Sequence, residues 1–259
     1  MRLATFRLSD YCCQAPDRFV DPYAINPDSL VIARQGKNVL RFSPLGNNPS
    51  SPSVALVGIT PGSQFEAFAR LLRSCPVELA AKKAAFAKDQ KKIKELLSAH
   101  GFVKQLDIDL SGDLNDNPAL LTTSLVKCCL MVDGNYKYKA PDIAASEEAT
   151  FCVRNRFVAD ITKYPTLKWV VIFGAAGWEA INLLKVGSRT IYQHLEAQKI
   201  EVLNFPHFSQ NQQQIAIFKL RPEQEESYFK EHPKHRGYAL AAREMRNELF
   251  SALQRKCRG

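Results

Sequence analysis

The chain lacks any run of ~18 uncharged apolar residues, so no segment is expected to cross a membrane as a helix. Its first residues, MRLATFRLSDYCC, interrupt their apolar positions with Arg2 and Arg7 and have no long apolar core. That is not a secretory signal, and an intracellular, cytoplasmic location is expected. No Gly-x-Gly-x-x-Gly or Walker sequence follows the first apolar run, which weighs against a flavodoxin-like nucleotide binder. Paired Cys/His spacing of the zinc type is missing, as are internal repeats and low-complexity tracts. Acidic residues are in deficit: 26 Asp and Glu against 35 Lys and Arg leave a formal net charge of +9. Basic charge favours a polyanionic partner through steering and counterion release. Cysteines number seven (Cys12, Cys13, Cys75, Cys128, Cys129, Cys152 and Cys257), an odd count that favours reduced thiols over a disulfide framework.

What is present is an ordinary globular composition spread over 259 residues, enough for one well-buried core. Residues 1–52, rich in Pro, Asn and Ser, are expected to form an N-terminal extension packed on a core of residues 53–259. Within the extension, SLVIARQGKNVLRF has the pattern of a hairpin turning at Gln-Gly-Lys-Asn. From residue 53 apolar runs alternate with helical patterns. SVALVGI, LLTTSLVKCCLMV, LKWVVIFG and EVLNF are strand-like, and FEAFARLLRSC, ASEEATFCVRNRFVADITKY and GAAGWEAINLLK are helix-like. Pro76 to His100 is a long Lys-rich segment with Leu79, Phe86, Ile93 and Leu97 on one expected helical face. Its lysines, at 82, 83, 88, 91, 92 and 94, form either a solvated face or a basic ridge. The expected architecture is a three-layer α/β/α sandwich with a central, mainly parallel four-stranded sheet.

Ligands of such sheets bind beyond the carboxyl ends of the strands. The segments there are ITPGSQ, TSLVKCC with VDGNYKY, GAAG and NFPHFSQN. VALVGITPGSQ resembles the first signature of the uracil-DNA glycosylase superfamily, Gly-x-x-Pro-Gly after an apolar strand. NFPHFSQN resembles its second, a strand ending in His-Pro-Ser. TTSLVKC, SEEATFCVRNRF and LKWVVIFGAAGWEAI resemble intervening segments in the same order, so the resemblance spans roughly residues 53–215. It implies a base-flipping enzyme that hydrolyses an N-glycosidic bond and leaves an abasic site, with DNA as partner, acting as a monomer.

The resemblance assigns roles. His207 would stabilise the leaving base anion. Ser209, Gln210, Gly62 and Ser63 would grip the DNA backbone. Phe65 would stack on the base, while the helical spacing of FEAFARLL sends Phe68 to the core. Two positions depart from the family pattern. Ile59 and Thr60 stand where members often carry Asp, Asn or Glu; Thr60 can hold a water but is no general base. Ser124 stands where an Asn usually reads uracil, losing a bidentate contact and vacating volume. That points to a modified pyrimidine, such as a modified cytosine of viral DNA, rather than plain uracil, acting in antiviral defence or in base-excision repair, with the modified base favouring defence. The alternative is a catalytically inactive, glycosylase-like DNA-binding module. Related thermophilic branches bind an iron–sulfur cluster. Cys128 and Cys152 match two of the ligands, but adjacent Cys12 and Cys13 fail the remaining Cys-x-x-Cys spacing, so no cofactor and no metal are expected. Asp133, after the second strand run, is one of several acids that could position water, with nothing to favour it over the others.

Overall fold

Gly36 supplies the left-handed residue that the first turn needs, at φ 54°. Around it β1 (Val31–Gln35) pairs antiparallel with β2 (Asn38–Arg41), as the hairpin pattern predicts. The structure is a computed structural model that describes residues 30–136, 139–209 and 211–258. Gln210, Cys12 and Cys13 lie outside the described residues, as does the side chain of Cys257.

After the hairpin come β3 (Val54–Gly58), α1 (Gln64–Leu71), α2 (Val77–Ala84), α3 (Gln90–Ser98) and α4 (Phe102–Gln105). Next are β4 (Leu120–Ser124), β5 (Cys129–Val132), α5 (Ala140–Ala145), α6 (Glu147–Cys152) and, beyond a π-helical turn, α7 (Val158–Thr162). Then follow β6 (Trp169–Phe173), α8 (Ala175–Leu183), the two-residue strands β7 (Lys185–Val186) and β8 (Arg189–Thr190), α9 (Ile191–Ala197) and β9 (Glu201–Phe205). The chain closes with α10 (Gln212–Lys219), α11 (Glu225–Glu231) and α12 (Ala239–Arg258).

The central sheet has the order β4-β3-β6-β9 and every pairing in it is parallel. All five residues of β3, of β4 and of β6 are buried, which explains why these strands are continuous apolar or Thr/Ser runs rather than alternating ones. Alternation appears instead in which layer each residue meets. Ala55, Val57, Val170, Ile172 and Val202 pack with α1, α2, α5 to α9 and the hairpin. Val54, Leu56, Trp169, Val171, Phe173, Leu203 and Phe205 pack with α3, α4 and α10 to α12. Two cores on opposite faces of one sheet make the three-layer sandwich.

Two segments depart from the sequence expectation. LLTTSLVKCCLMV is not one strand: β4 ends at Ser124, and β5 pairs antiparallel with β2 in a separate β1-β2-β5 sheet. The bend at 125–128 is held by Leu125 N–H on Gly58 O and Val126 N–H on Ile59 O, both at 2.9 Å. The Lys-rich segment is not one helix either. Ala85 leaves helical geometry at ψ 118°, and Phe86 adopts φ 53°, so α2 and α3 are separate elements. Leu79 consequently faces solvent, at 39% exposure, while Phe86, Ile93 and Leu97 are buried.

Strand order also locates the crevice. The chain passes from β3 to β4 on one side, then returns across β3 to β6 and β9 on the other. That reversal splays the loops at the carboxyl ends of β3 and β6, where an open parallel sheet receives its ligand.

Candidate functional site

A cavity of about 260 Å³ opens at that reversal. Its size suits a single heterocycle better than an extended ligand. Segments following three of the four central strands reach it: Gly58 to Gln64 after β3, Thr123 and Ser124 at the end of β4, and His207 to Ser209 after β9. Leu45, Ala85, Phe86, Asp89 and Tyr136 complete the wall. The loop after β6 acts from behind, through Gly174.

His207 is held by its own turn. Ser209 donates its backbone N–H to Nδ1 at 3.2 Å, and the Ser209 hydroxyl lies 3.1 Å from the same nitrogen. A backbone N–H can only donate, so Nδ1 is the acceptor and the neutral ring carries its proton on Nε2. No described residue hydrogen-bonds Nε2. Burial pushes the His207 pKa down from 6.5 to about 4, so the ring is neutral at physiological pH. One face of the imidazole stacks on Phe208, with centroids 4.6 Å apart. Behind it sits Gly174, at φ 90°. A Cβ there would come within 3.0 Å of His207 Cβ and 3.1 Å of Cδ2. Glycine is therefore required at this position twice over, by backbone conformation and by the approach of the imidazole.

The residues expected from the sequence divide. Ile59, Thr60, Gly62, Ser63, Ser124, His207 and Ser209 all line the one cavity. Thr60 is buried and accepts from the Gly62 N–H at 3.3 Å, which closes the turn after β3. Ile59 packs against Gly177, where a Cβ would come within 3.2 Å of it. Ser63 and Ser209 are exposed at the rim. Ser124 is 5% exposed, and its hydroxyl has no hydrogen bond to a described residue. Phe65 corrects the expectation of a stacking ring: it is buried in the core on α1, with the Arg41 guanidinium 5.3 Å from its ring centroid. The α1 helix turns Phe65 and Phe68 to the same interior side. Asp133 is exposed and paired with Lys37 at 2.8 Å, and it is not part of the cavity wall.

The aromatic wall is made instead by Phe86, Phe208 and Tyr136. Phe86 packs edge-to-face on Phe208 at 5.5 Å and on Phe173 at 6.3 Å. The left-handed turn that carries it is fixed from α1, because the Phe86 N–H donates to Gln64 Oε1 at 2.7 Å. With Oε1 engaged, the Gln64 amino group remains as a donor at the wall. Tyr136 donates its hydroxyl to Glu66 at 3.1 Å, and burial first, then that contact, push its pKa up to about 12. Only the VDGNYKY loop hinted at Tyr136; nothing local marks Phe86 or Gln64.

Lys127, which helped to align the second strand run, is structural: it bridges to Asp160 at 2.7 Å and also donates to the Thr123 hydroxyl. Cys128 and Cys152 are both buried, and Cys152 Sγ accepts from the Lys127 N–H at 3.2 Å. Among the described residues no three His, Cys, Asp or Glu side chains are grouped to hold a metal, and no helix is long and apolar enough to cross a membrane. Of the lysines between Pro76 and His100, Lys83, Lys88, Lys91 and Lys92 are exposed, Lys82 pairs with Asp116 at 2.5 Å, and Lys94 donates to Gly112 O at 2.6 Å.

Chemically, the cavity offers a fixed neutral donor from His207, further donors from Gln64 and Ser124, and apolar faces for a flat ring. No family model matches the chain, and no curated protein or solved structure matches it.

Proposed function

We propose that the chain is a DNA glycosylase, which flips a pyrimidine base from DNA and hydrolyses its N-glycosidic bond to leave an abasic site. The observation that carries this reading is His207: an imidazole kept neutral by burial, its Nδ1 capped by the Ser209 N–H, presenting Nε2–H at a base-sized cavity. Breaking a glycosidic bond leaves negative charge on the base. A preorganised neutral donor in a partly dry site stabilises that charge as it develops, without first having to lose a proton. The collinear likeness to the uracil-DNA glycosylase signatures and the net charge of +9 point the same way. Lys88, Lys91 and Lys92, exposed beside Asp89, are suited to phosphate contacts.

Ser124 bears on which base. Its short side chain leaves the end of β4 without the donor–acceptor pair of an amide, and its hydroxyl is unengaged among the described residues. A pyrimidine carrying an extra substituent, such as a modified cytosine of viral DNA, uses that room, which suits a role in antiviral defence; uracil would suit base-excision repair. A second reading, a DNA-binding module without catalysis, draws on Ile59 and Thr60 standing where an acid or amide is usual.

The two readings separate on a panel of duplex and single-stranded DNAs carrying uracil, hypoxanthine, hydroxymethylcytosine or glucosylated hydroxymethylcytosine. Alkali-labile sites at one base are expected. Tight, salt-sensitive binding with no such site on any substrate favours the binding module. On the substrate that reacts, Gly174→Ala is expected to slow release on the order of 100-fold by displacing His207, with the circular dichroism spectrum retained. A rate unchanged by Gly174→Ala would mean that the imidazole position is not critical.

A further inference from the structure

The attacking water in such a reaction needs an acceptor for its proton, and the turn after β3 provides none: Ile59 and Thr60 cannot act as bases at neutral pH. Among the described residues lining the cavity there is one carboxylate, Asp89. It comes from the turn between α2 and α3, far from either sequence signature. Phe86 at φ 53° starts that turn, and Asp89 closes it by donating its N–H to Phe86 O at 2.9 Å. The Phe86 ring packs on Phe208, which stacks on His207, so Asp89 and His207 belong to one packed wall.

Asp89 immediately precedes α3, where an Asp ordinarily turns its carboxylate back onto the first helical N–H groups. Here it makes no such cap bond, and no described residue pairs with it. The group is half-buried at the cavity. Burial raises its pKa, while Lys92 and Lys88 oppose the rise. A carboxylate that forgoes its local partner and stands at a cavity is free to bind what enters.

We propose, on the basis of the glycosylase reading, that Asp89 is a catalytic residue that holds the attacking water and takes its proton. As the bond between C1′ and the base nitrogen breaks, its electron pair leaves with the base, and the base anion is met by His207 Nε2–H. Water oxygen bonds to C1′, one water proton passes to the Asp89 carboxylate, and that proton later returns to the departed base. The products are the neutral free base and an abasic sugar bearing the new hydroxyl.

The test is single-turnover base release by Asp89→Asn and Asp89→Ala on whichever DNA the wild type cleaves, with binding to the same DNA measured in parallel. Asp89→Asn keeps the shape and removes the acceptor for a proton. A fall of about 100-fold in the release rate, with affinity and circular dichroism within twofold of wild type, is expected. Release by Asp89→Asn within threefold of wild type overturns the assignment while leaving the glycosylase reading intact. No release by the wild type from any DNA overturns both.

Discussion

Replacing His207 with alanine is expected to slow base release by about 100- to 1,000-fold, the usual cost of removing one preorganised donor from a developing anion. The loss should be the same at pH 6 and pH 8, because the wild-type imidazole has a pKa of about 4 and is neutral at both. A His207→Gln variant, which can still donate through its amide, should recover part of the rate. Nitrogen-15 NMR of the ring checks the premise directly: Nε2 should be protonated and Nδ1 bare across that range. A loss that is large at pH 6 and shrinks towards pH 8 would instead mean that an imidazolium does the work. The same pKa has a consequence for stability. Below its unfolded-state value of 6.5 the unfolded chain takes up a proton that the folded chain refuses. Stability linked to His207 is therefore fully present above 6.5 and is lost as pH falls towards 4, by about 3 kcal/mol at most.

The second large effect lies behind the site. Arg246 on α12 is buried, with its side chain 4% exposed, against Glu225 at 8%. It donates to Glu225 Oε1 and to the carbonyls of Ile217 and Leu220, at 3.4 and 2.7 Å, while its Nε has no partner. Burial works against the charge on Glu225, but the hydrogen bonds from Arg243 and Arg246 outweigh it and hold the carboxyl below its ordinary value. Glu225→Ala would leave the buried guanidinium with carbonyls alone. The expected cost is about 3–5 kcal/mol, seen as a fall of roughly 10 °C in the melting midpoint. Arg243, whose side chain is 48% exposed, offers the contrast: Arg243→Ala should cost no more than about 1 kcal/mol. Equal losses in the two variants would show that Arg246 needs no counter-charge. The clamp matters to the site because Ile217 and Leu220 sit at the end of α10, the helix that follows the His207 turn.

The strands were legible because burial on both faces leaves only short apolar runs, and Pro52, Gly58, Gly174 and Pro206 bound three of them. His207, Thr60 and Ser124 were legible because each stands at the end of such a run, where a parallel sheet must place its crevice. The break between α2 and α3 was not. Phe86 takes a left-handed conformation without the Gly or Asn that ordinarily signals one, and Leu79 and Phe86, seven positions apart, mimic one continuous face. The turn is fixed from a distance by Gln64, so no local pattern could reveal Phe86 or Asp89 as cavity residues. Phe65 misled for the converse reason: its place after the motif suggested a stacking ring, but the period of α1 puts it in the core beside Phe68. Gly174 showed itself only as a turn residue. What it makes room for, the His207 ring, lies on the neighbouring strand's loop.

The most direct measurement is mass spectrometry of everything released when the wild-type protein is incubated with the DNA panel. Free base from one substrate, together with an unbroken strand that has exchanged that base for a hydroxyl, is the predicted result. Nucleosides, nucleotides or cut strands in place of free base would contradict it, as would DNA left unchanged throughout the panel.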